Sequence, residues 1–298
     1  MITVKTLFII NPISGGKDKS KLKDLIEREF YENRFQIFIV YSDYPGHANK
    51  LATNAVSEQF DLVVAVGGDG TLNEVASALV GTSVKFGLLP FGSGNGLARH
   101  LKIPLNTKKA LQTLKQMYSR PIDTGVLNGR AFFNIAGVGL DAKIAHIFST
   151  NKKRGFKTYI KLVLKEMIGL KGTKYKITID GTYYDESVYV ISIANSPQYG
   201  NDMNIAADAS VIDGSFDVCV ISEFPMWMML WFGIAMKFKA LKSSRLKIIK
   251  GREIEIERSG EFFAHVDGEP LLVENKVKIN VLPLSLNVIL PNLPRHEI

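Results

Sequence analysis

Residues 61–74 read Asp61-Leu-Val-Val-Ala-Val-Gly67-Gly68-Asp69-Gly70-Thr71-Leu-Asn73-Glu74. The apolar run has the length of a strand and ends in three glycines around one aspartate. Apolar residues then recur at helical spacing, at Leu72, Val75, Ala76, Leu79 and Val80. The stretch therefore predicts a strand, a glycine turn and a helix, in that order.

A turn of this kind favours anions, because glycines let the backbone approach a ligand and the N–H groups of a helix start favour phosphate. Asp69 would repel a bare phosphate, but Mg²⁺ takes carboxylate and phosphate oxygens together. We therefore predict a nucleotide–Mg²⁺ site. The alternative is a tight turn whose glycines serve packing alone, and Gly67-Gly68 by itself would favour it. The sequence has neither a Gly-x-x-x-x-Gly-Lys-Ser/Thr loop nor a Gly-x-Gly-x-x-Gly run at its first helix.

Two other glycine-rich turns also follow predicted strands. Strand 4–10 precedes Asn11-Pro12-Ile13-Ser14-Gly15-Gly16-Lys17, and strand 85–90 precedes Phe91-Gly92-Ser93-Gly94-Asn95-Gly96. With strand 35–41 and its loop, the chain begins with four strand–helix units, which predict an open, mostly parallel sheet with helices on both faces. Ligands of such sheets bind beyond the carboxyl ends of the strands, so we expect all three turns at one ligand-binding edge.

After Arg120 the pattern changes to short strand-like segments with turn signals. They predict a mainly β second domain with helices at about 140–149 and 156–170. We predict domains at 1–124 and 125–287. The sequence leaves open whether the tail at about 288–298 returns to the first domain. The predicted strands are 131–136, 174–180, 187–194, 216–221, 252–257, 261–266, 276–282 and 286–290.

Composition narrows the partners. Cys219 is the only cysteine in 298 residues, so neither an internal disulfide nor a cysteine metal cluster is expected. The net charge of +8 suits nucleic acid, anionic lipid or nucleotide phosphate, but no nucleic-acid-binding pattern is present and we expect no nucleic acid partner. The first residues lack a signal-peptide layout, and no apolar run reaches the ~20 residues that cross a bilayer. We expect a cytoplasmic protein.

Two helical segments bear on contact with a membrane. Segment 156–170 has an apolar stripe beside lysines, and a core helix is the favoured interpretation. Segment 224–242 is apolar on every side over Phe224–Met236, contains two tryptophans and ends in lysines. The sequence leaves it open between a core helix and a helix that lies in a bilayer surface. We expect reversible, peripheral contact with an anionic membrane surface.

The set of motifs resembles that of one known family. The motifs are Asn11-Pro12-x-Ser14-Gly15, Gly67-Gly68-Asp69-Gly70-Thr71-x-Asn73-Glu74, Gly92-Ser93-Gly94-Asn95 and His265-Val266-Asp267-Gly268-Glu269. They resemble the diacylglycerol kinase catalytic-domain family, which includes soluble bacterial lipid kinases, sphingosine kinases and ceramide kinases. The resemblance covers nearly the whole chain. Of these motifs, only the one at residues 67–74 is shared with NAD kinases.

The resemblance implies an ATP-dependent kinase of a lipid hydroxyl, built from a nucleotide-binding α/β domain and a β-sandwich domain for the lipid. Mg²⁺ would bind Asp69, and a structural Mg²⁺ would bind Asp213. Asp267 and Glu269 would form the catalytic centre. The residues predicted to bind ATP lie in the turns: Asn11, Pro12, Ser14, Gly15, Gly16, Lys17, Ser42, Gly67, Gly68, Asp69, Gly70, Thr71, Asn73, Glu74, Gly92, Ser93, Gly94 and Asn95.

Several alternatives stay open. Asn95-Gly96 is closer to the sphingosine and ceramide branch than to many bacterial diacylglycerol kinases, so diacylglycerol and sphingoid lipids both remain candidate substrates, and a homodimer is also open. Asp267-Gly268 is in its own right a hairpin signal, and a hairpin tip can also present a carboxylate to a cleft. The alternative functions are phosphorylation of a soluble dinucleotide, as in NAD kinases, and lipid or nucleotide binding without catalysis. The histidines, His265 among them, are assigned no chemistry.

Overall fold

The structure is a computed structural model that describes residues 3–16, 19–31, 34–92, 94–151, 156–200, 203–225, 227–238 and 243–292. Its contacts divide the chain into two compact units. The N-terminal unit consists of Met1–Thr124 and Leu284–Ile298, and the C-terminal unit is Gly125–Pro283. The N-terminal unit is therefore built from both ends of the sequence.

The N-terminal unit alternates strands and helices. Its elements are β1 (Val4–Ile10), α1 (Leu22–Glu29), β2 (Phe35–Tyr41), α2 (His47–Ser57), β3 (Leu62–Gly67), α3 (Asp69–Leu79), β4 (Lys85–Pro90), α4 (Gly96–His100) and α5 (Thr107–Gln116). The parallel strands lie in the order β2–β1–β3–β4, and the end of the last strand of the chain adds beside β4, where Val288 pairs with Phe86.

The sheet forms because its central strands are apolar along their whole length. Every residue of β3 is buried, as expected for a parallel strand covered by helices on both faces. The core around it includes the edge-to-face rings of Phe8, Phe30 and Phe35. Because β1 to β4 run in one direction, the loops that follow them leave the sheet at a single edge.

The C-terminal unit is mainly β. Its elements are β5 (Ser119–Leu127, which begins in the N-terminal unit), β6 (Arg130–Phe132), β7 (Ile135–Gly139), α6 (Leu140–Thr150), α7 (Phe156–Met167), β8 (Thr173–Ile179), β9 (Thr182–Ala194), β10 (Gln198–Gly200), β11 (Met203–Asn204), β12 (Phe216–Ser222), α8 (Met228–Lys237), β13 (Leu246–Gly251), β14 (Glu253–Glu257), β15 (Phe262–Val266), β16 (Glu269–Val273) and β17 (Lys276–Ile289, which ends in the N-terminal unit).

The long strand β9 organises this unit. Its first half pairs with β8, and its second half pairs with β7 on one side and β12 on the other. The remaining order is β16–β15–β7 at one end and β8–β14–β17 at the other, with β13 beside β12. The inward side chains of these strands form one core, which includes Phe132, Phe216, Ile191 and Val277. The unit is a β sandwich.

Three hairpins of this unit share one kind of turn. Asn128-Gly129, Asp180-Gly181 and Asp267-Gly268 each join two strands through two residues with positive φ, between 46° and 85°. Positive φ at both positions is the requirement of a type I′ turn, which Asn-Gly and Asp-Gly meet at the lowest cost. The hairpin interpretation of Asp267-Gly268 is therefore correct.

The predicted fold class, an α/β unit followed by a mainly β sandwich, is confirmed. The details differ in places. The predicted strands 276–282 and 286–290 are one strand, β17, and the short strands β13 and β16 were not predicted. Among the described residues, no helix combines the length and the apolar character that crossing a bilayer requires.

Candidate active site

Asp69 joins two of the three glycine turns. It is the first residue of α3, and its carboxylate accepts two backbone hydrogen bonds from the turn after β4. Asn95 N donates to Oδ2 at 2.9 Å and Gly96 N donates to Oδ1 at 2.8 Å. Gly96 begins α4, so Asp69 satisfies N–H groups that the helix start would otherwise leave unpaired. These two hydrogen bonds give Asp69 a structural role.

Glycines allow the turns to approach each other. A Cβ on Gly92 would lie 2.7 Å from the Cα of Gly68, and a Cβ on Gly94 would lie 2.7 Å from Asp69 Oδ2. A Cβ on Gly15 would lie 1.5 Å from the carbonyl oxygen of Phe91. Since real Cβ atoms do not come this close, only glycine fits at these positions. The structure thus brings all three predicted turns together.

Asparagines hold the backbone of the turns. Asn11 follows β1, and its Nδ2 donates to Thr71 Oγ1 in α3 at 2.9 Å. Asn95 lies in the third turn with a positive φ of 53°. Its side chain makes two hydrogen bonds with Gly92. Gly92 N donates to Asn95 Oδ1 at 2.9 Å, and Asn95 Nδ2 donates to Gly92 O at 2.8 Å. Ile13 N also donates to Asn11 Oδ1 at 3.1 Å, so both asparagines orient backbone groups at the carboxyl ends of the strands.

Glu74 fixes the loop that follows β2. Its carboxylate accepts N–H bonds from Gly46 at 2.9 Å and from Ala48 at 3.1 Å, where α2 begins. Ser42 lies in the same loop, is buried, and donates its backbone N–H to Ile10 O at 3.0 Å. The acidic side chain of Glu74 therefore has a structural contact at this edge of the sheet.

The other predicted ATP-binding residues fall into three groups. Pro12, Ser14 and Gly16 lie in the first turn, where Ser14 Oγ donates to Asn11 O at 3.1 Å. Gly67 ends β3, and Gly70, Thr71 and Asn73 lie in the first turns of α3. Lys17 and Ser93 lie outside the described residues.

Two basic side chains contact the turns and were not among the predicted site residues. Lys19 Nζ donates to Ser14 O at 2.5 Å and to Pro12 O at 3.3 Å. Arg99 Nε donates to Gly94 O at 2.9 Å. Each lies three residues after the last glycine of its turn, Gly16 or Gly96, which is a usable sequence signal. Cations beside the first and third glycine turns would add favourable charge for an anion.

The residues at Asp69 fit a magnesium ion that also binds phosphate. Mg²⁺ uses one or two protein carboxylates and takes the rest of its ligands from water and substrate phosphates. The described residues contain no cluster of three His, Cys, Asp or Glu side chains that could hold a metal by themselves. Asp69 is a single carboxylate beside N–H-rich turns, which is the arrangement that shared coordination requires.

The residues at Asp213 do not fit a structural Mg²⁺. Lys250 Nζ lies 2.8 Å from Asp213 Oδ2 and 3.1 Å from Asp217 Oδ1, so an internal cation already pairs with both carboxylates. Ser215 also donates its N–H and its hydroxyl to Asp213 Oδ1. Burial raises the pKa of Asp217 above its usual range although Lys250 lowers it. We derive no role for a metal at Asp213.

Asp267 is held by the segment that leads into β7. Its Oδ2 accepts from Phe133 N at 2.9 Å, and its Oδ1 accepts from Asn134 N at 2.8 Å and Ile135 N at 3.1 Å. The three N–H bonds orient the carboxylate and stabilise its charged form. Glu269, two residues on, begins β16 and is exposed. The turn therefore presents two carboxylates, that of Asp267, which accepts three backbone N–H bonds, and that of Glu269, which is exposed.

Comparison with known proteins agrees with both units. Residues 5–127 match the diacylglycerol kinase catalytic domain, and residues 134–290 match the YegS C-terminal NAD kinase beta sandwich-like domain. A diacylglycerol kinase of Bacillus subtilis (strain 168) is 27% identical over 267 residues, which is 88% of each chain. A probable lipid kinase YegS-like of Pseudomonas aeruginosa (strain UCBPP-PA14) is 28% identical over 291 residues, covering 96% of this chain and 94% of its own.

A solved structure shows the same fold. The crystal structure of a diacylglycerol kinase from Bacillus anthracis str. Sterne superposes with a TM-score of 0.75 at 22% identity over 97% of both chains. The second family match alone spans more than half of this chain, and the first adds most of the N-terminal unit. The chain belongs to the family of diacylglycerol kinases and YegS-like lipid kinases, and it is a phosphotransferase.

Proposed function

We propose that this protein transfers the γ-phosphate of ATP to a lipid hydroxyl with the help of Mg²⁺. The observation that carries the proposal is the mutual attachment of three glycine turns around Asp69 at the carboxyl edge of a parallel sheet. Phosphoryl transfer asks a protein mainly for positioning and for neutralisation of charge. Backbone N–H groups, one carboxylate for the metal and nearby cations supply both.

Each unit has its own part in this proposal. In the N-terminal unit the turns bind the triphosphate, Asp69 takes Mg²⁺, and Lys19 and Arg99 add positive charge. In the C-terminal unit Asp267 accepts the proton of the attacking hydroxyl, and Glu269 is the second residue of the proposed catalytic centre. A general base of this kind contributes roughly a hundredfold to ten-thousandfold in rate.

The lipid is proposed as diacylglycerol or a related glycerolipid first, because the curated relative from Bacillus subtilis is a diacylglycerol kinase. The Asn95-Gly96 pair keeps sphingoid lipids as a second candidate. A soluble dinucleotide is less favoured, because the C-terminal unit exposes a strongly apolar helix face that such a substrate does not need.

That helix is α8, and its two faces differ. Phe232 and Ala235 are buried, and Phe232 stacks on Phe224 at 4.5 Å, so this face belongs to the core. Another face, which we call the α8 ridge, exposes large apolar side chains at helical spacing: Trp227 (77% exposed), Trp231 (41%), Ile234 (52%) and Phe238 (72%). The sequence left this segment open between a core helix and a surface helix, and its described residues include both buried and exposed apolar side chains.

The α8 ridge suits the surface of an anionic bilayer. Tryptophan and other large apolar side chains partition into the boundary between headgroups and acyl chains. Lys237 lies in the last turn of α8, and the chain carries a net charge of +8. In segment 156–170, Met167 is buried, whereas Leu164 and Ile168 are 44% and 71% exposed. We propose that the α8 ridge makes the reversible membrane contact.

The function is tested with ATP labelled in its γ-phosphate and a panel of acceptors. The panel contains diacylglycerol, monoacylglycerol, sphingosine, ceramide, phosphatidylglycerol and NAD, each with and without Mg²⁺. We expect label in one lipid, dependent on Mg²⁺. Label that appears in NAD would favour the dinucleotide kinase, and label in no acceptor would favour a binding protein without catalysis.

Membrane contact is tested by sedimentation with vesicles of phosphatidylglycerol and phosphatidylcholine. We expect Trp227→Gln with Trp231→Gln to weaken binding at least about tenfold, because two amphipathic anchors are lost. Binding of the unaltered protein should also fall with salt, since each surface lysine contributes about 1 kcal/mol on an anionic bilayer. Tyr31→Gln is the control, because Tyr31 is 91% exposed but lies in the N-terminal unit. Equal binding by all three proteins contradicts the proposal.

A further inference from the structure

A buried cluster of polar side chains lies behind the Asp267-Gly268 turn. Asp141, at the start of α6, and His265, in β15, are each 6% exposed, and Ser192 in β9 is fully buried. His265 Nε2 lies 3.1 Å from Asp141 Oδ2, and Ser192 Oγ donates to the same oxygen at 3.0 Å. Burial of a charged group is unfavourable unless the group is paired and hydrogen-bonded. The bonds from His265 and Ser192 meet this requirement for Asp141.

The register of the sheet places these side chains together. His265 pairs with Gly137 across β15 and β7, and Gly137 pairs with Ser192 across β7 and β9. The three residues therefore stand side by side on neighbouring strands, and their side chains share one face.

Gly137 is what lets the cluster close. A Cβ at this position would lie 2.7 Å from Asp141 Oδ2 and 3.0 Å from His265 Nε2. Any other residue between His265 and Ser192 would therefore push Asp141 away from both. The glycine serves the contact between the carboxylate and the imidazole rather than a turn, because its φ is not in the positive region.

The second nitrogen of His265 binds the turn itself. Gly268 N donates to His265 Nδ1 at 3.3 Å. Because Nδ1 accepts this bond, the ring proton is on Nε2. The Nε2–H group then donates a hydrogen bond to Asp141. Asp141 thus selects the tautomer of His265 that is able to accept from Gly268.

The two residues of the turn are consequently held from different sides. Asp267 is bound through its carboxylate to residues 133–135, and its own N–H donates to Ile135 O at 2.8 Å. Gly268 is bound through its N–H to His265. Neither of the other two hairpins with the same turn has a histidine two residues before its turn.

We propose that His265 and Asp141 are positioning residues of the kinase, which hold the Gly268 N–H so that the carboxylates of Asp267 and Glu269 keep one orientation. This inference rests on the proposed function, in which Asp267 acts on the lipid hydroxyl. His265 acts through the turn and touches no reacting atom. Loss of its bond frees the turn without removing either carboxylate.

Three substitutions at His265 separate its two bonds. In His265→Asn, the Oδ1 atom occupies nearly the place of Nδ1 and can accept from Gly268, while the bond to Asp141 is lost. In His265→Gln, the Nε2 atom can reach Asp141, but no acceptor remains beside Gly268. His265→Leu loses both bonds. Ser192→Ala is the control, because it removes a donor from Asp141 and leaves the turn untouched.

Two readouts are measured for each variant at a temperature at which it is folded. The first is hydrogen exchange of the Gly268 amide by NMR, and the second is kcat together with the KM for ATP. We expect His265→Asn and Ser192→Ala to keep the protection of Gly268 and to keep kcat within about threefold. We expect His265→Gln and His265→Leu to lose protection and kcat at least tenfold, with the KM for ATP within about twofold.

The outcomes divide clearly. Unchanged protection of Gly268 in His265→Leu overturns the bond, and lost protection with unchanged kcat overturns the positioning role. A kcat that follows the melting temperatures of the four variants shows a structural role only, and also overturns it. If the unaltered protein transfers no phosphate to any acceptor, the proposed function fails, whereas the exchange pattern still tests the attachment of Gly268.

Discussion

Asp267→Asn is expected to lower kcat about a thousandfold and to leave the KM for ATP within about twofold. The substitution removes the base proposed for the lipid hydroxyl, an effect that spans roughly a hundredfold to ten-thousandfold in other enzymes. The KM for ATP is expected to hold because the proposed nucleotide site lies in the other unit. Initial rates with labelled ATP and the lipid identified by the acceptor panel give both constants.

The structure also sets what this variant does to stability. Asn accepts the positive φ of the turn, and its one oxygen can still receive the N–H groups of Asn134 and Ile135. Its amide nitrogen would face the N–H of Phe133, so one donor loses its acceptor. An unsatisfied buried donor costs about 1–3 kcal/mol. Rates must therefore be measured well below the melting temperature of the variant.

Asp180→Asn is the matched control. Asp180 occupies the same position in the same kind of turn, and its carboxylate accepts backbone N–H bonds from Arg252 and Glu253. The control removes one charge and disturbs one hairpin, as Asp267→Asn does. We expect its kcat within about twofold of the unaltered protein. Equal kcat in the two variants would remove Asp267 from the chemistry and leave it a hairpin residue.

Asp69→Asn is expected to lower kcat/KM for the magnesium complex of ATP at least about a hundredfold. Removal of one preorganised group that stabilises developing charge commonly costs a hundredfold or more. The concentration of Mg²⁺ for half-maximal rate should rise as well, because the metal loses its only proposed carboxylate ligand in the N-terminal unit. Rates across a titration of Mg²⁺ at saturating lipid give both values.

This variant also tests the structural contact of Asp69. Asn keeps one acceptor for the N–H groups of Asn95 and Gly96 and turns a donor toward the other. Asp61→Asn is the control, since Asp61 accepts a backbone N–H from Lys5 at 2.7 Å just before β3, at the end of the strand away from the turn. If Asp69→Asn lowers the melting temperature but leaves the Mg²⁺ concentration for half-maximal rate unchanged, Asp69 has only the structural role of connecting the turns.

Local sequence patterns were enough for the fold class. The apolar run of β3 and the helical spacing of α3 are each contained in a dozen residues, so pattern and structure agree there. The same dependence on local pattern explains why the strands β13 and β16 were not predicted. Leu246–Gly251 carries two lysines, and Glu269–Val273 begins with a charge and a proline, so neither has the pattern of a buried strand.

The contacts of the candidate site could not be predicted, because they join residues far apart in sequence. Asp69 bonds Asn95 across 26 positions, and Glu74 bonds Gly46 across 28. Asp141 and His265 are 124 positions apart, and no spacing rule connects them. The sequence left the burial of helix α8 open for a different reason: a segment that is apolar on every side has no period that tells which face is buried.

The final stretch of β17 has a consequence for biosynthesis. Residues 284–290 complete the N-terminal unit: Val288 pairs with Phe86, Gly81 N donates to Ser285 O, and Leu290 N donates to Tyr118 O. A ribosome makes these residues only after the whole C-terminal unit. Until then the nascent chain leaves the backbone of β4 without this neighbour, as an edge open to wrong pairing. The N-terminal unit is thus the first to be synthesised, but it is completed only after the C-terminal unit has been made.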